Sequence, residues 1–306
     1  DMTAVVTLNN FWPWSGGMGQ YVSWFGGGVI PYPVLTNDYD SYQHYTASFY
    51  SNEPAMVAFE NFLRQLITRT NTVTGVAYVN DPTVMSWQLA NEPRGFDNIA
   101  AFQTWIDRTS AFVRSLDPNH LISLGTEGET ATPDSAGLNV IRDHSHSNID
   151  YITTHLWVQN WFLYDPAMSE EDFERTLTYM RDYISRHVEY ARALNKPLVL
   201  EEFGLARDHG SFDPESATAR RDRYYSEIFN HVYTLAAAGN PISGLNFWAW
   251  AGEGRPVRPG EFWAEEQQFT GDPPHEQQGW YGVYETDRST VDVIGRFAPL
   301  FNQLGN

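Results

Sequence analysis

The sequence contains no cysteine and is poor in basic residues. The lack of cysteine among its 306 residues excludes disulfide bonds, thiolate metal sites and a cysteine nucleophile. Its 19 lysines and arginines stand against 38 aspartates and glutamates, which gives a formal net charge of −19. Nucleic-acid binding depends on basic patches, so we expect no nucleic-acid partner. The acidic balance fits a protein that acts on a neutral polymer, but it does not identify that polymer.

Long hydrophobic runs are also missing. No apolar stretch approaches the roughly 18 residues of a membrane-spanning helix, so we expect no membrane partner. No signal peptide is recognisable, which is typical of a mature or trimmed chain. The sequence has no repeat of fixed period, no low-complexity tract and no interdomain linker. We therefore predict a single domain over residues 1–306.

Aromatic residues are abundant, at 15% of the chain with 11 tryptophans and 17 tyrosines. Flat rings suit the CH-rich faces of sugars, although large hydrophobic cores use them too. The segment 9–18 is rich in glycine and aromatic residues, which predicts a long loop. Trp12 and Trp14 in this loop are candidate platforms for sugars, and packing of the loop is the alternative for each.

Apolar strand-like segments alternate with long amphipathic helices. We predict helices at 53–70, 100–116, 170–194, 217–238 and 290–303. Strands are predicted at 4–8, 121–124, 149–154 and 242–250, and in the two stretches that lead to Glu92 and Glu202. This alternation predicts an α/β protein with a parallel sheet, and specifically a (β/α)8 TIM barrel. Only six of the eight strands are identifiable, as strands 3 to 8, so the predicted barrel is N-terminally incomplete.

Two of the predicted strands end in a glutamate. One stops abruptly at Asn91-Glu92-Pro93, and the other ends in Glu202-Phe203-Gly204. The carboxyl ends of parallel strands meet at one rim, where barrel enzymes place their chemistry. Cleavage of a glycosidic bond needs two such carboxyl groups, one as acid and one as nucleophile or base. The alternative is that both glutamates cap helices or pair with surface arginines.

These motifs resemble glycoside hydrolase family 5, and within it the endo-β-mannanase branch. Asn91-Glu92-Pro93 resembles the acid/base motif of that family, and Glu202-Phe203-Gly204 resembles its nucleophile motif. The loop 9–18 is similar to the loop after the third barrel strand in bacterial mannanases. Further similarities cover Arg207-Asp208, Asp272-Pro273-Pro274 and Gly279-Trp280-Tyr281. The resemblance extends over essentially the whole chain from the third barrel strand onward.

The resemblance implies an endo-acting, retaining hydrolase of β-1,4-mannosidic bonds in mannan, glucomannan or galactomannan. Glu202 would attack the anomeric carbon while Glu92 protonates the departing oxygen and later activates water. The implied partners are β-mannan polysaccharides and manno-oligosaccharides, with no cofactor and no metal, in an extracellular or periplasmic location. A β-1,4-glucanase of the same family would share both glutamates. A non-catalytic carbohydrate-binding protein would keep the aromatic residues without needing both carboxylates.

The same resemblance suggests roles for other residues near the two glutamates. Asn91 is placed to bind the sugar 2-hydroxyl, unless it is a turn residue. His155 ends a predicted strand and could bind a sugar hydroxyl or Glu202. Trp157 follows it, where many family members have tyrosine, and is a candidate platform.

Two more candidates lie on other loops. Trp248 or Trp250 is expected to form the floor of the cleavage subsite, and we favour Trp248, although both have the same parity along the predicted strand. Glu127 contacts a sugar on the leaving-group side or is a surface carboxylate.

The chain also departs from the family pattern at its front. The first two strand–helix units of the family have no counterpart here, and no residue can inherit the active-site arginine that they normally supply. We therefore expect a separate N-terminal segment that completes the barrel, encoded upstream or present as a second polypeptide.

Overall fold

Parallel strands alternate with helices along the chain, as the sequence predicts. The computed structural model describes residues 2–265 and 267–304 and divides between Thr153 and Thr154 into two units, which are considered in turn. Among the described residues, no helix combines the length and apolarity that a bilayer crossing requires.

The first unit is built on a three-stranded parallel sheet. Its strands are β1 (Ala4–Thr7), β2 (Val84–Gln88) and β3 (Leu121–Ser123), in that order across the sheet. Because β2 is central and mostly buried, its apolar residues can face packed layers on both sides. Its helices are α1 (Gly17–Val22), α2 (Pro33–Thr36), α3 (Tyr39–Ala47), α4 (Glu53–Ile67), α5 (Ile99–Leu116), α6 (Pro133–Ala136) and α7 (Val140–His144).

The aromatic N-terminal part of this unit mostly packs the core. The predicted loop 9–18 leads directly into α1, and α3 follows with a short 3-10 turn at Ser48–Ser51. Phe11, Tyr42 and Phe49 are fully buried, whereas Trp24 is 65% exposed. Most of these rings therefore stabilise the unit by burial of apolar surface.

The second unit contains another three-stranded parallel sheet. The strand β4 (Ile152–Leu156) lies across the division, and β5 (Leu198–Phe203) and β6 (Ile242–Leu245) follow it in the order β4-β5-β6. The short strands β7 (Trp250–Gly252) and β8 (Val283–Tyr284) pair separately. Helices α8 (Glu170–Leu194), α9 (Ala219–Ala237) and α10 (Arg288–Leu304) complete the unit.

Local signals set the ends of the long helices. The side chain of Ser169 caps α8 by accepting a hydrogen bond from the Asp172 N–H, and the first turn carries three acidic residues. Asn195 ends the helix in a left-handed conformation. In the first unit the Asn52 side chain caps α4 in the same way as Ser169. These signals explain why the sequence located both helices closely.

The strand predicted at 242–250 is present only over Ile242–Leu245, so its predicted end is wrong. The strand β6 ends at Leu245, a cis peptide bond joins Trp248 to Ala249, and Trp250 already belongs to β7. The chain changes partner at this point, because the Ala249 carbonyl accepts from the Val283 N–H while the Trp248 N–H still donates to β5. Trp248 and Trp250 therefore do not lie on one strand, so their equal parity in the sequence does not place their rings on the same face. The six predicted parallel strands are present as two three-stranded sheets, and the described residues do not form a complete barrel.

Candidate active site

Glu92 is held at the end of β2 by an unusual backbone. Its φ of 49° lies in the left-handed region, which is costly for a residue with a side chain. Its N–H donates to the Gly125 carbonyl over 2.8 Å. A Cβ on Gly125 would lie 1.9 Å from the Ala90 carbonyl oxygen, so only glycine fits there. The close approach of these two loops maintains the conformation of Glu92.

The carboxylate of Glu92 accepts a hydrogen bond from Trp12. The indole Nε1 donates to Oε2 over 2.7 Å, and both residues are buried. The Trp12 ring stacks on Tyr42 at 6.1 Å, and the Arg94 guanidinium lies 4.9 Å above the indole. Trp12 is thus a partner of the predicted acid/base. Trp14, the other candidate platform of this loop, is half-buried and packs against the core.

Glu127 forms a buried ion pair with Arg94. Arg94 donates to both carboxylate oxygens, Nε to Oε2 over 2.7 Å and Nη2 to Oε1 over 2.8 Å. Glu127 is only 2% exposed, so the surface-carboxylate alternative is wrong. Burial works against the charge on Arg94, but Glu127 and Glu92 outweigh it and raise the pKa of the guanidinium. Sequence reasoning missed Arg94, although its position two residues after Glu92 was a usable signal.

Asn91 connects the end of β2 to the Trp12 loop. Its side-chain Nδ2 donates to Oδ1 of Asn10 over 3.3 Å, and the same oxygen accepts from the Trp12 N–H. The Asn91 N–H donates to the Asn9 carbonyl. Asn91 therefore has a structural role in this unit, and its role at a sugar hydroxyl stays a prediction.

In the second unit Glu202 lies near the end of β5 against His155 and Trp157. His155 Nδ1 is 3.3 Å from Oε2 of Glu202, and the Trp157 indole donates to the same oxygen over 3.3 Å. His155 is fully buried, and its other ring nitrogen is 3.8 Å from a carboxylate oxygen of Glu201. The structure thus places His155 against Glu202, one of the two positions the sequence left open.

Trp248 packs close to this carboxylate, and Trp250 does not join it. The rings of Trp157 and Trp248 meet edge to face at 6.4 Å. Gly204 lies beneath them, where a Cβ would be 2.9 Å from the Trp157 ring and 3.0 Å from the Trp248 carbonyl. Trp250 is 55% exposed in β7. Trp248 therefore lies beside the Trp157 ring that contacts Glu202, and its role as the floor of the cleavage subsite stays a prediction.

Each glutamate therefore has a tryptophan N–H on its Oε2 atom. Because an indole N–H can only donate, it occupies a lone pair of that oxygen and stabilises the ionised carboxylate. This pattern could not be read from the sequence, since Trp12 and Trp157 are remote from Glu92 and Glu202 along the chain.

Comparison with known proteins agrees with this chemistry. A family model described as "GH family 5 beta-mannosidase-like" matches residues 1–306. The mannan endo-1,4-β-mannosidase 4 of Solanum lycopersicum is 31% identical over 260 residues, which cover 82% of this chain and 60% of that protein. The chain spans about 60% of the length of the curated relatives it matches first.

Two solved structures are similar over nearly the whole chain. A glycoside hydrolase family 5 mannosidase from Rhizomucor miehei is 40% identical with a TM-score of 0.88, covering 99% of this chain and 72% of that one. An endo-β-1,4-mannanase from Thermotoga petrophila is 25% identical with a TM-score of 0.73, covering 98% of this chain and 58% of that one.

Proposed function

The chain belongs to glycoside hydrolase family 5, in its β-mannosidase-like group, and on that premise we propose that it is an endo-acting hydrolase of β-1,4-mannosidic bonds. The substrates are mannan, glucomannan or galactomannan and their oligosaccharides. One observation carries the proposal: Glu92 follows the parallel strand β2, Glu202 lies near the end of the parallel strand β5, and each carboxylate accepts an indole N–H on Oε2. A binding protein would have no use for two carboxylates prepared in this way.

The proposed mechanism is a retaining double displacement. The carboxylate of Glu202 attacks the anomeric carbon, while a proton on the carboxyl group of Glu92 passes to the departing glycosidic oxygen. Ionised Glu92 then takes a proton from water, which attacks the glycosyl-enzyme and frees Glu202. The Arg94 guanidinium, which Glu127 holds in place, interacts electrostatically with Glu92, a group that alternates between neutral and ionised states in this mechanism.

This mechanism requires the two carboxyl groups to lie about 5 to 5.5 Å apart, the separation found in retaining enzymes. The first product should therefore keep the β configuration, which proton NMR of early hydrolysis detects directly. A product of inverted configuration would refute the mechanism.

Two substitutions test the separate roles. Glu202→Ala should nearly abolish turnover on every substrate. Glu92→Ala should lose the least hydrolytic activity on aryl β-mannosides with good leaving groups, because these groups need little protonation to depart. Equal losses of the first chemical step on aryl mannosides and on mannan would contradict the role given to Glu92.

An exo-acting β-mannosidase is the second candidate. It is favoured by the likeness to the Rhizomucor miehei mannosidase, which at 40% identity exceeds that to the Thermotoga petrophila endo-mannanase at 25%. Products from mannohexaose separate the two activities. Release of single mannose units from one end supports the exo enzyme, and early mannobiose and mannotriose support the endo enzyme.

A further segment is proposed to complete the sheet edges. Among the described residues, β1 is an end strand of its sheet and so is β6, which leaves their outer backbone groups open to pairing. Two strand–helix units would pair with such edges. A fully active, soluble monomer of residues 1–306 expressed alone would contradict this.

An extracellular or periplasmic location is proposed because the polysaccharide substrates are found outside the cytoplasm. Detection of the chain outside the cytoplasm tests this location.

A further inference from the structure

A line of contacts in the second unit runs from Glu202 to a buried aspartate. The Trp157 indole donates to Glu202, and the ring of Trp157 packs against Tyr281 with 4.9 Å between centroids. Tyr281 is 1% exposed, and its hydroxyl donates to the side chain of Asn160. The backbone of Tyr281 in turn is held by Asp272.

Asp272 organises the backbone of the loop 272–281. Its carboxylate accepts from three consecutive N–H groups, those of Gly279, Trp280 and Tyr281, over 2.8, 3.1 and 2.8 Å. It is only 2% exposed. A carboxyl group offers lone pairs on two oxygens, which here accept from two N–H groups and from one N–H group. Asp272 therefore determines where the Tyr281 ring stands.

The contact between Tyr281 and Trp157 leaves little freedom for the indole. At Gly204, between the two rings, an added Cβ would lie 2.9 Å from Trp157 and 3.2 Å from Tyr281. Trp248 borders the indole on another side. The Trp157 hydrogen bond to Glu202 is already long at 3.3 Å, and a small rotation of the ring would break it.

We propose that Asp272 is a positioning residue for the nucleophile, and that it acts through Tyr281 and Trp157 to direct an indole N–H at Oε2 of Glu202. The proposal rests on the function proposed above for Glu202. The hydrogen bond stabilises the ionised form of Glu202 and fixes the orientation of its carboxylate. Asp272 touches neither substrate nor reacting atoms.

Both Glu202 and Asp272 have charged neighbours, so the test must distinguish the proposed line of contacts from a general change in packing or charge. Around Glu202 in this unit stand His155 from β4 and Glu201 from β5. Near Asp272 stands Arg221 from α9, whose charge opposes the effect of burial and which also pairs with Asp287. A general loss of packing would disturb both groups, whereas the proposed line of contacts reaches Glu202 only through Trp157.

The experiment is a double-mutant cycle on the pH dependence of kcat/KM, measured with an aryl β-mannoside. Trp157→Phe removes the N–H donor and keeps a ring, so the acid limb, which reports ionisation of the nucleophile, should move up by about one pH unit. Asp272→Asn puts an amide NH2 against the three N–H donors and should move the same limb in the same direction. The double variant should show no further movement.

A matched control exists in the same unit. The half-buried Asp208 also accepts from two backbone N–H groups, those of Ala219 and Arg220, but its bonds cap α9. Asp208→Asn should leave the acid limb in place. If Asp272→Asn does not fold, Tyr281→Leu tests the contact between Tyr281 and Trp157 instead. It should shift the acid limb of kcat/KM by as much as Trp157→Phe does.

The possible outcomes separate this proposal from the function on which it rests. An unmoved acid limb in a folded Asp272 or Tyr281 variant, or additive movements in the double variant, would overturn the positioning role while Glu202 remained essential. A wild-type protein without mannosidase activity, or a fully active Glu202→Ala, would overturn both.

Discussion

Replacing Trp12 by phenylalanine should change how readily Glu92 holds its proton. The indole N–H donates to Oε2 over 2.7 Å in a buried setting, and phenylalanine has no such donor. The substitution keeps a ring against Tyr42 and beneath Arg94, so most of the packing is retained. The perturbation is therefore confined mainly to one charge-assisted hydrogen bond.

The size of the effect follows from the type of bond. A hydrogen bond to a charged group contributes about 1.5 to 3 kcal/mol, and 1.36 kcal/mol corresponds to about one pH unit. Loss of the bond destabilises ionised Glu92, so the residue stays protonated to higher pH. The basic limb of kcat/KM, which reports the general acid, should move up by about one to two pH units.

The assay is the pH dependence of kcat/KM on manno-oligosaccharides, in which protonation of the leaving group matters. Trp14→Phe is the matched control, because Trp14 lies two residues away and packs against the core. It should leave the basic limb unchanged. A Trp12→Phe enzyme that stays active with an unmoved basic limb would refute the assignment of Glu92 as the acid held by Trp12.

Three further predictions concern stability, each measured by urea unfolding. Gly125→Ala should lower the unfolding free energy at least twice as much as Gly75→Ala. Both glycines have a positive φ, which costs a residue with a side chain about 1 to 2 kcal/mol, but of the two only Gly125 lies against a carbonyl oxygen. Equal losses would contradict the steric argument. Arg94→Lys should cost about 1.5 to 3 kcal/mol because lysine cannot donate to both oxygens of buried Glu127, and wild-type stability would show that the paired geometry is unimportant. Burial raises the pKa of Asp272 from 3.8 to about 6, so folding favours its protonated form. The unfolding free energy of the wild type relative to Asp272→Asn should therefore be highest below pH 3.8 and fall by about 3 kcal/mol as the pH rises past 6. A pH-independent difference would argue against the raised pKa.

Features that depend on neighbouring residues could be predicted from the sequence. The strands that end in Glu92 and Glu202 are apolar runs with abrupt stops, and both are observed as β2 and β5. The helix α8 was predicted with its observed ends because Ser169 and Asn195 provide local capping signals. Short-range periodicity and end signals contain this information, since they act within one or two turns or strand repeats.

Features that depend on distant partners could not be predicted from the sequence. The end of β6 at Leu245 is decided by β8, which takes over as the pairing partner after Trp248 and whose two residues carry no strong strand signal of their own. The sequence alone could not choose between these partners, because pairing is settled by competition for backbone hydrogen bonds in three dimensions.

The same holds for the candidate site. The two glutamates and the tryptophans were visible as residue types, but only the tertiary structure decides that Trp12 donates to Glu92, that Arg94 neutralises Glu127, and that Trp157 donates to Glu202. A residue type indicates which bonds a side chain can form. Which of them it forms depends on the packing that brings distant segments within about 3 Å of each other and excludes the water that would otherwise compete.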